Sequence, residues 1–234
     1  MLLYLVRHGD PIYETDSLTE RGKLQAESVG KRMQKIGIDQ IFSSSMGRAM
    51  ETAAPACRLL NLPCQVEDWA REISKAIRTP YPDGKLKSIS RLPVTDFRGN
   101  DQYLLPYDRA MECVAIKETS MAEAQAFLEK NFNEFVEKLG YKAENGVYRI
   151  LRPNEEKVAL FCHAAFTRAW LSTLLRVPLH MMWSSFNITH TGVTVLEFRN
   201  NPDGFTAPHC LCLSDMSHLY AEGLDMVYNN HCEL

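Results

Sequence analysis

The chain has 234 residues, 45% of them hydrophobic and 24% charged, with a formal net charge of −3. That length suffices to bury a sizeable core in one domain, and the slight acidity gives no reason to expect a nucleic-acid partner. No stretch approaches the roughly 18 consecutive apolar residues of a membrane span, and MLLYLV is too short and lacks the basic leader and cleavage site of a signal peptide, so a cytoplasmic protein is expected.

In chain order, Leu2, Leu3, Tyr4, Leu5 and Val6 form an apolar run of strand length, bulky enough to be buried on both faces. It ends in Arg7, His8 and Gly9. A cation and an imidazole at the C-terminal end of a buried strand sit where open α/β sheets place their ligand crevices; Gly9 is read as letting the backbone turn. Thr19 is the expected N-cap of a helix with Glu20 in its first turn. Leu18, Gly22, Ala26, Val29, Met33 and Ile36 recur at helical spacing up to Gly37. Residues 40–43 read as a strand. From Met46, the spacing of Ala49, Ala53, Ala56 and Leu60 predicts a helix packed through small side chains and bent at Pro55.

Residues 63–66 read as a further strand. From 74 to about 119 regularity fails: Pro80, Pro82, Gly84, Pro93, Gly99 and Pro106 punctuate a segment far longer than an ordinary connection. Lys75, Arg78, Lys85, Lys87, Arg91, Arg98 and Arg109 outnumber its acids, with Phe97, Tyr103 and Tyr107 interspersed. It is either a solvated excursion or a cap selecting an anionic substrate. Ser120 and Glu123 make a capping box for a helix with Met121, Ala124, Leu128, Phe132, Phe135 and Leu139 on one face, ended by Gly140. Strands are expected at 146–152 and 157–162, a helix at 166–176 stopped by Pro178, and a hairpin of 192–198 with 205–213 across NNPDG. The expected fold is a three-layer α/β/α sandwich, mostly parallel with an antiparallel edge, as one domain over 1–234 carrying a cap insertion at about 74–119.

Seven cysteines, an odd number without framework spacing, read as reduced thiols. His209, Cys210 and Cys212, with His218, His231 and Cys232 beyond, have the wrong spacing for paired zinc knuckles; Cys210 and Cys212 fit alternate positions of a strand, and no metal is expected.

Chemistry concentrates in four segments. Arginine's planar fork suits phosphate oxygens, and Arg7 with Arg48, near a helix N-terminus, makes a phosphate clamp. Histidine is the natural phosphoryl acceptor beside them, because near neutral pH a ring nitrogen stays unprotonated while the arginines remain charged; His8 is the candidate nucleophile. SSSMGRAMETA (43–53), AREI (70–73) and VALFCHAAFTR (158–168) follow MLLYLVRHG in the same order in which a known family arranges its motifs. The chain resembles the histidine phosphatase superfamily, also called phosphoglycerate mutase-like.

The resemblance implies that His8 is transiently phosphorylated, its other nitrogen oriented by a backbone carbonyl. It further implies that His163 helps hold the phosphoryl group and stabilises transition-state charge. Glu72 then corresponds to the acid that protonates the leaving oxygen and later activates water, a double duty suited to a carboxyl whose pKa is raised by burial. Glu67 and Asp68 are rivals for that role, and a solvated glutamate beside Arg71 is the structural alternative. Two departures stand out. Ala164 and Ala165 occupy positions where the family usually has glycines, and the loop DPIYETDSLT lacks the family's phosphate-binding asparagine, so that either Tyr13 or Ser17 substitutes or the donor is absent. A cysteine nucleophile at Cys162 with His163 as base is disfavoured, because adjacent strand residues face opposite ways.

The expected function is a cofactor-free, metal-independent phosphomonoester hydrolase, histidine acid phosphatase-like, acting on a small phosphorylated substrate. One alternative is a phosphoglycerate mutase, although AREISKAIRTP lacks the tyrosine-glycine element typical of family mutases after the acid. The other is a non-catalytic phosphate-ligand binding protein, against which the presence of both arginines, both histidines and an acid argues.

Overall fold

The computed structural model describes residues 1–80 and 84–228, so Pro82, His231 and Cys232 lie outside the described residues. Its main elements are β1 (Leu2–Arg7), α1 (Glu20–Ile36), β2 (Gln40–Ser44), α2 (Gly47–Leu60), β3 (Cys64–Glu67), α3 (Met121–Lys138), β4 (Lys157–Cys162), α4 (Ala164–Leu175), β5 (Val193–Glu197) and β6 (His209–Asp215). They fall into two compact units: residues 1–71, 135–164 and 188 onward form the first, and 72–134 with 165–187 the second.

The first unit is built on a six-stranded sheet in the order β6-β5-β1-β4-β2-β3. The pairs β1/β4, β4/β2 and β2/β3 are parallel; β5 and β6 add antiparallel neighbours at one edge. On one face Tyr4, Val6, Ile41, Ala159, Phe161, Val193 and Val195 form a core with Val29 and Met33 of α1 and Ala53 and Ala56 of α2. On the other, Phe42 meets Phe135 edge to face at 4.9 Å between ring centroids. Burial of both faces is why β1 and β4 read as continuous apolar runs rather than alternating ones. The fold is α/β with a mostly parallel central sheet, as the residue pattern predicts.

Local signals hold at both ends of α1, while at the start of α3 the expected Ser120–Glu123 box gives way to Thr119. Thr19 caps α1 by accepting from the Gly22 amide, and Gly37 closes it in the left-handed region at φ 73°. Helix α2 runs through Pro55, which is buried. At α3, the Met121 amide bonds to Thr119 Oγ1 at 3.2 Å, and Gly140 follows the helix at φ 101°.

The expected hairpin is corrected in part. β5 does pair antiparallel with β6, Glu197 opposite His209 and Val193 opposite Asp215. Phe205–Thr206, however, leaves that ladder and pairs with Val147–Ile150, in a separate three-stranded sheet with Tyr141–Glu144. The NNPDG turn therefore delivers the chain to a different sheet, a choice that local turn chemistry does not encode. Cys210 and Cys212 occupy alternate positions of β6, as expected.

In the second unit the irregular segment contains a short antiparallel pair, Arg78–Pro80 with Leu86–Ser88, then Val94–Arg98 as a helix and three 3-10 turns. Ile89, Phe97, Ala110, Cys113, Ala115 and Ile116 are buried. The unit's core includes Trp170 of α4, 4.4 Å from Phe132 of α3 between ring centroids. Pro178 both stops α4 and precedes a second helix, Leu179–Ser185, that sequence periodicity did not reveal; its Trp183 Nε1 donates to Ser90 Oγ at 3.2 Å.

Candidate active site

The parallel register assembles the site. Arg7 pairs with Cys162 and Phe161 with Ser43, so β1, β4 and β2 end at one level and the residues that follow emerge side by side. His8 continues the ladder, its amide donating to Cys162 O at 3.0 Å, and His163 is the next residue of the neighbouring chain. Their ring centroids are 5.2 Å apart. Helix α2 then starts beyond the end of β2 and brings Arg48 in its first turn.

Gly9 serves a purpose other than the turn expected of it. A Cβ at this position would lie 2.7 Å from the Gly22 carbonyl oxygen, so only glycine allows the loop to rest against α1. The Gly9 amide donates to Thr52 Oγ1 at 3.0 Å, and Thr52 donates in turn to Arg48 O at 2.7 Å, tying the first loop to α2.

Arg7, His8, Arg48 and His163 are all buried. Two buried guanidiniums demand partners. Arg7 Nη1 donates to Ile188 O at 2.6 Å, and Arg48 forms an ion pair with Asp16. The same Asp16 carboxylate accepts from the Gly47 amide at 2.7 Å, supplying the cap that Met46, at the N-cap position of α2, does not. Arg48 Nε is buried and without a hydrogen-bond partner among the described residues.

The histidines are held neutral. Burial, then the charges of Arg7, His163 and Arg48, push His8 well below the ordinary histidine pKa. Burial, then Arg48, Arg7 and Arg71, do the same to His163. His8 Nδ1 lies 2.7 Å from Gly9 O, which places the proton on Nδ1 and leaves a lone pair on Nε2. His163 Nε2 is 2.8 Å from Ser44 Oγ.

Thus four of the five expected residues, Arg7, His8, Arg48 and His163, come together in the first unit. Glu72 belongs to the second unit. There its carboxylate accepts from the Phe166 amide at 2.9 Å and the Ala165 amide at 3.3 Å, in the first turn of α4. Ala164 and Ala165 are accounted for by the same turn, because helical backbone suits alanine where it would cost glycine entropy. Of the rivals, Glu67 accepts from Trp69 Nε1 and Asp68 from Ser45 Oγ. Of the two substitutes for the missing asparagine, Ser17 is engaged with Thr15, whereas the Tyr13 ring centroid lies 5.5 Å from the Arg48 guanidinium carbon.

Sequence reasoning missed Asp16, Ser44, Thr52, Asp10 and His190. One signal was available for Asp16: Met46 cannot cap a helix with its side chain, so an acceptor had to come from elsewhere in the chain. His190 gave none. It follows no strand, and reaches the site because the Arg7 amide donates to Gly192 O and the Thr191 amide to His8 O.

Comparison with known proteins identifies the family. The family model of the histidine phosphatase superfamily (branch 1) matches residues 3–76 and 110–207. A probable phosphatase, C1687.21, of Schizosaccharomyces pombe is 29% identical over 143 residues, 50% of this chain and 66% of that protein. The probable phosphoglycerate mutase GpmB of Erwinia tasmaniensis is 40% identical over 67 residues, 24% of this chain and 31% of that one. The chain thus spans less than two thirds of the length of these curated relatives. Among solved structures, phosphoserine phosphatase from Entamoeba histolytica in complex with 3-phosphoglyceric acid superposes with a TM-score of 0.62 at 20% identity, covering 93% of this chain and 98% of that one. Mycobacterial glucosyl-3-phosphoglycerate phosphatase gives 0.60 at 18% identity, covering 92% and 99%. These likenesses show the fold, and the family match spans the segments that carry Arg7, His8, Arg48 and His163. The chain belongs to the histidine phosphatase superfamily.

Proposed function

We propose that this protein is a metal-independent phosphomonoester hydrolase working through a phosphohistidine on His8. The observation that carries the reading is the cluster of two buried guanidiniums and two neutral imidazoles at the ends of β1 and β4, with the His8 Nε2 lone pair set by the Nδ1 contact to Gly9 O. Arg7, Arg48 and His163 bind the phosphoryl oxygens. His8 Nε2 attacks phosphorus as the ester P–O bond breaks, and Glu72 gives its proton to the departing alkoxide. Water then attacks the phosphohistidine, passes a proton to the Glu72 carboxylate, and inorganic phosphate leaves with His8 restored. The anchoring of Glu72 to the start of α4, the helix that follows His163 in sequence, supports its selection over Glu67 and Asp68.

The phosphatase names among the relatives and neighbours support hydrolysis of a small phosphorylated metabolite. We assign substrate selection to the cap of residues 74–119, whose cations and aromatics suit an anionic molecule. The six described cysteines are all free thiols, which supports a cytoplasmic location.

The test is hydrolysis of p-nitrophenyl phosphate in EDTA by the wild type and by His8→Ala, with acid-labile phosphoenzyme trapped in parallel. Loss of both turnover and phosphoenzyme in the variant is expected; equal rates would refute the mechanism. Incubation with 3-phosphoglycerate distinguishes a mutase, which would yield 2-phosphoglycerate instead of free phosphate.

A further inference from the structure

A third imidazole stands beside His8. The His190 ring centroid is 5.7 Å from that of His8, against 5.2 Å for His163, so two imidazoles flank His8 at similar spacing. Asp10 Oδ1 lies 3.5 Å from His190 Nδ1. The carboxylate is fixed from its other side, where Oδ2 accepts from Thr19 Oγ1 at 2.8 Å. A carboxylate facing Nδ1 favours the tautomer with its proton there, which leaves a lone pair on Nε2. That Nε2 is buried and has no hydrogen-bond partner among the described residues.

The backbone around His190 is held in an unfavourable conformation. Thr191, a β-branched residue, sits in the left-handed region at φ 53°. Its amide donates to His8 O at 3.2 Å, its Oγ1 donates to His190 O at 2.8 Å, and His218 Nε2 lies 3.2 Å from the same Oγ1. On the preceding residue, the Thr189 amide and Oγ1 both meet Ser214 Oγ at 2.8 Å. Strain over-determined in this way at a site is what positions a functional side chain.

We propose that His190 contacts the phosphoryl group through Nε2, accepting a hydrogen bond from a protonated phosphoryl oxygen, so that the site takes the phosphate monoanion in preference to the dianion. This rests on the phosphohydrolase reading above. A lone pair repels a fully ionised oxygen and attracts a P–OH. The local charge agrees: Asp16 offsets Arg48, and Asp10 sits beside His190. The groups that face His190 are Asp10 from the first loop, Arg7 and His8 from the end of β1, Arg21 from α1 and, through Thr191, His218. Burial, with Arg7 and Arg21, holds His190 down at about 2, and burial, with Arg32 outweighing Asp215, holds His218 at about 4. His8 is likewise depressed, so across neutral pH it is the ligand that titrates.

The experiment is calorimetric titration with inorganic phosphate, which needs no turnover, from about one pH unit below to about two above the ligand's second ionisation, where the protein stays folded. For the wild type, Kd is expected to be flat below that ionisation and to rise about tenfold per pH unit above it. His190→Gln, whose amide can donate, is expected to lose that rise. Asp10→Asn, which turns an amide donor toward Nδ1 and drives the proton to Nε2, is expected to lose it with the ring intact. A wild-type Kd independent of pH, no phosphate binding at any pH, or an unchanged rise in both variants overturns the proposal. If His190→Gln does not fold, the wild-type series and Asp10→Asn decide. A His8→Ala enzyme that still turns over refutes the phosphohistidine reading instead, whatever the Kd profile.

Discussion

Acid should unfold this protein through its histidines before its carboxylates titrate. His8, His163, His190 and His218 are buried and held below the ordinary histidine value, chiefly by desolvation, with His190 at about 2 and His218 at about 4. In the unfolded chain each titrates near pH 6.5. The unfolded state therefore binds protons that the native state refuses, and stability present above about pH 6.5 is lost as pH falls through that value. For His218 the loss continues to about pH 4, where the native imidazole itself takes up its proton. His190 and His218 each contribute a slope of about 1.4 kcal/mol per pH unit once the unfolded form is fully charged, or about 2 kcal/mol between pH 7 and pH 5. His190 and His218 together lose about 4 kcal/mol over that span, and His8 and His163 add to the loss in the same direction. Asp215, held below its ordinary value by Ser217 and Arg32 against burial, works in the same direction but only at more acid pH. Urea unfolding between pH 7 and pH 5 measures the slope, which should correspond to uptake of more than one proton on unfolding, with His190 and His218 alone approaching two at the acid end. His218→Gln should remove its share of that uptake. An uptake of less than about one proton in the wild type would refute the claim that these rings are buried in their neutral form.

Asp16→Ala should lower stability by about 1 kcal/mol through loss of the cap on α2, and, with Arg48 no longer held, kcat/KM for p-nitrophenyl phosphate should fall about tenfold. Asp16→Asn should retain most of both; steady-state kinetics and a thermal melt check the pair. Leu160, fully buried in β4, should cost about 2–5 kcal/mol as Leu160→Ala, read from the urea midpoint at unchanged m-value. Gly37→Ala meets nothing within 4 Å at its new Cβ yet must hold φ 73°, so it should destabilise by about 1–2 kcal/mol, from backbone conformation alone, in the same assay.

Much of the site was legible because its parts are local. An apolar strand that stops at Arg-His-Gly, a second that stops at a histidine, and a helix starting two residues before an arginine each announce a chain end at which side chains are free for chemistry. The helix caps at Thr19 and Gly37 were legible for the same reason, since each satisfies backbone groups within its own turn. Other features were hidden because the partners lie far apart in sequence. Asp16 is 32 residues from the arginine it orients, and Thr191 meets the carbonyl of a histidine at the other end of the chain.

What the amino-acid order determined by itself was therefore which segments become strands and helices and which residue types stand at their ends, because hydrophobic periodicity and capping act over a few residues. The tertiary structure alone decided the parallel register that sets His8 level with His163, the transfer of residues 205–206 to a second sheet, and the placing of His190 and Asp16 against the clamp. Those outcomes depend on burying both faces of one sheet and on pairing every buried charge, conditions met only when distant segments pack at once.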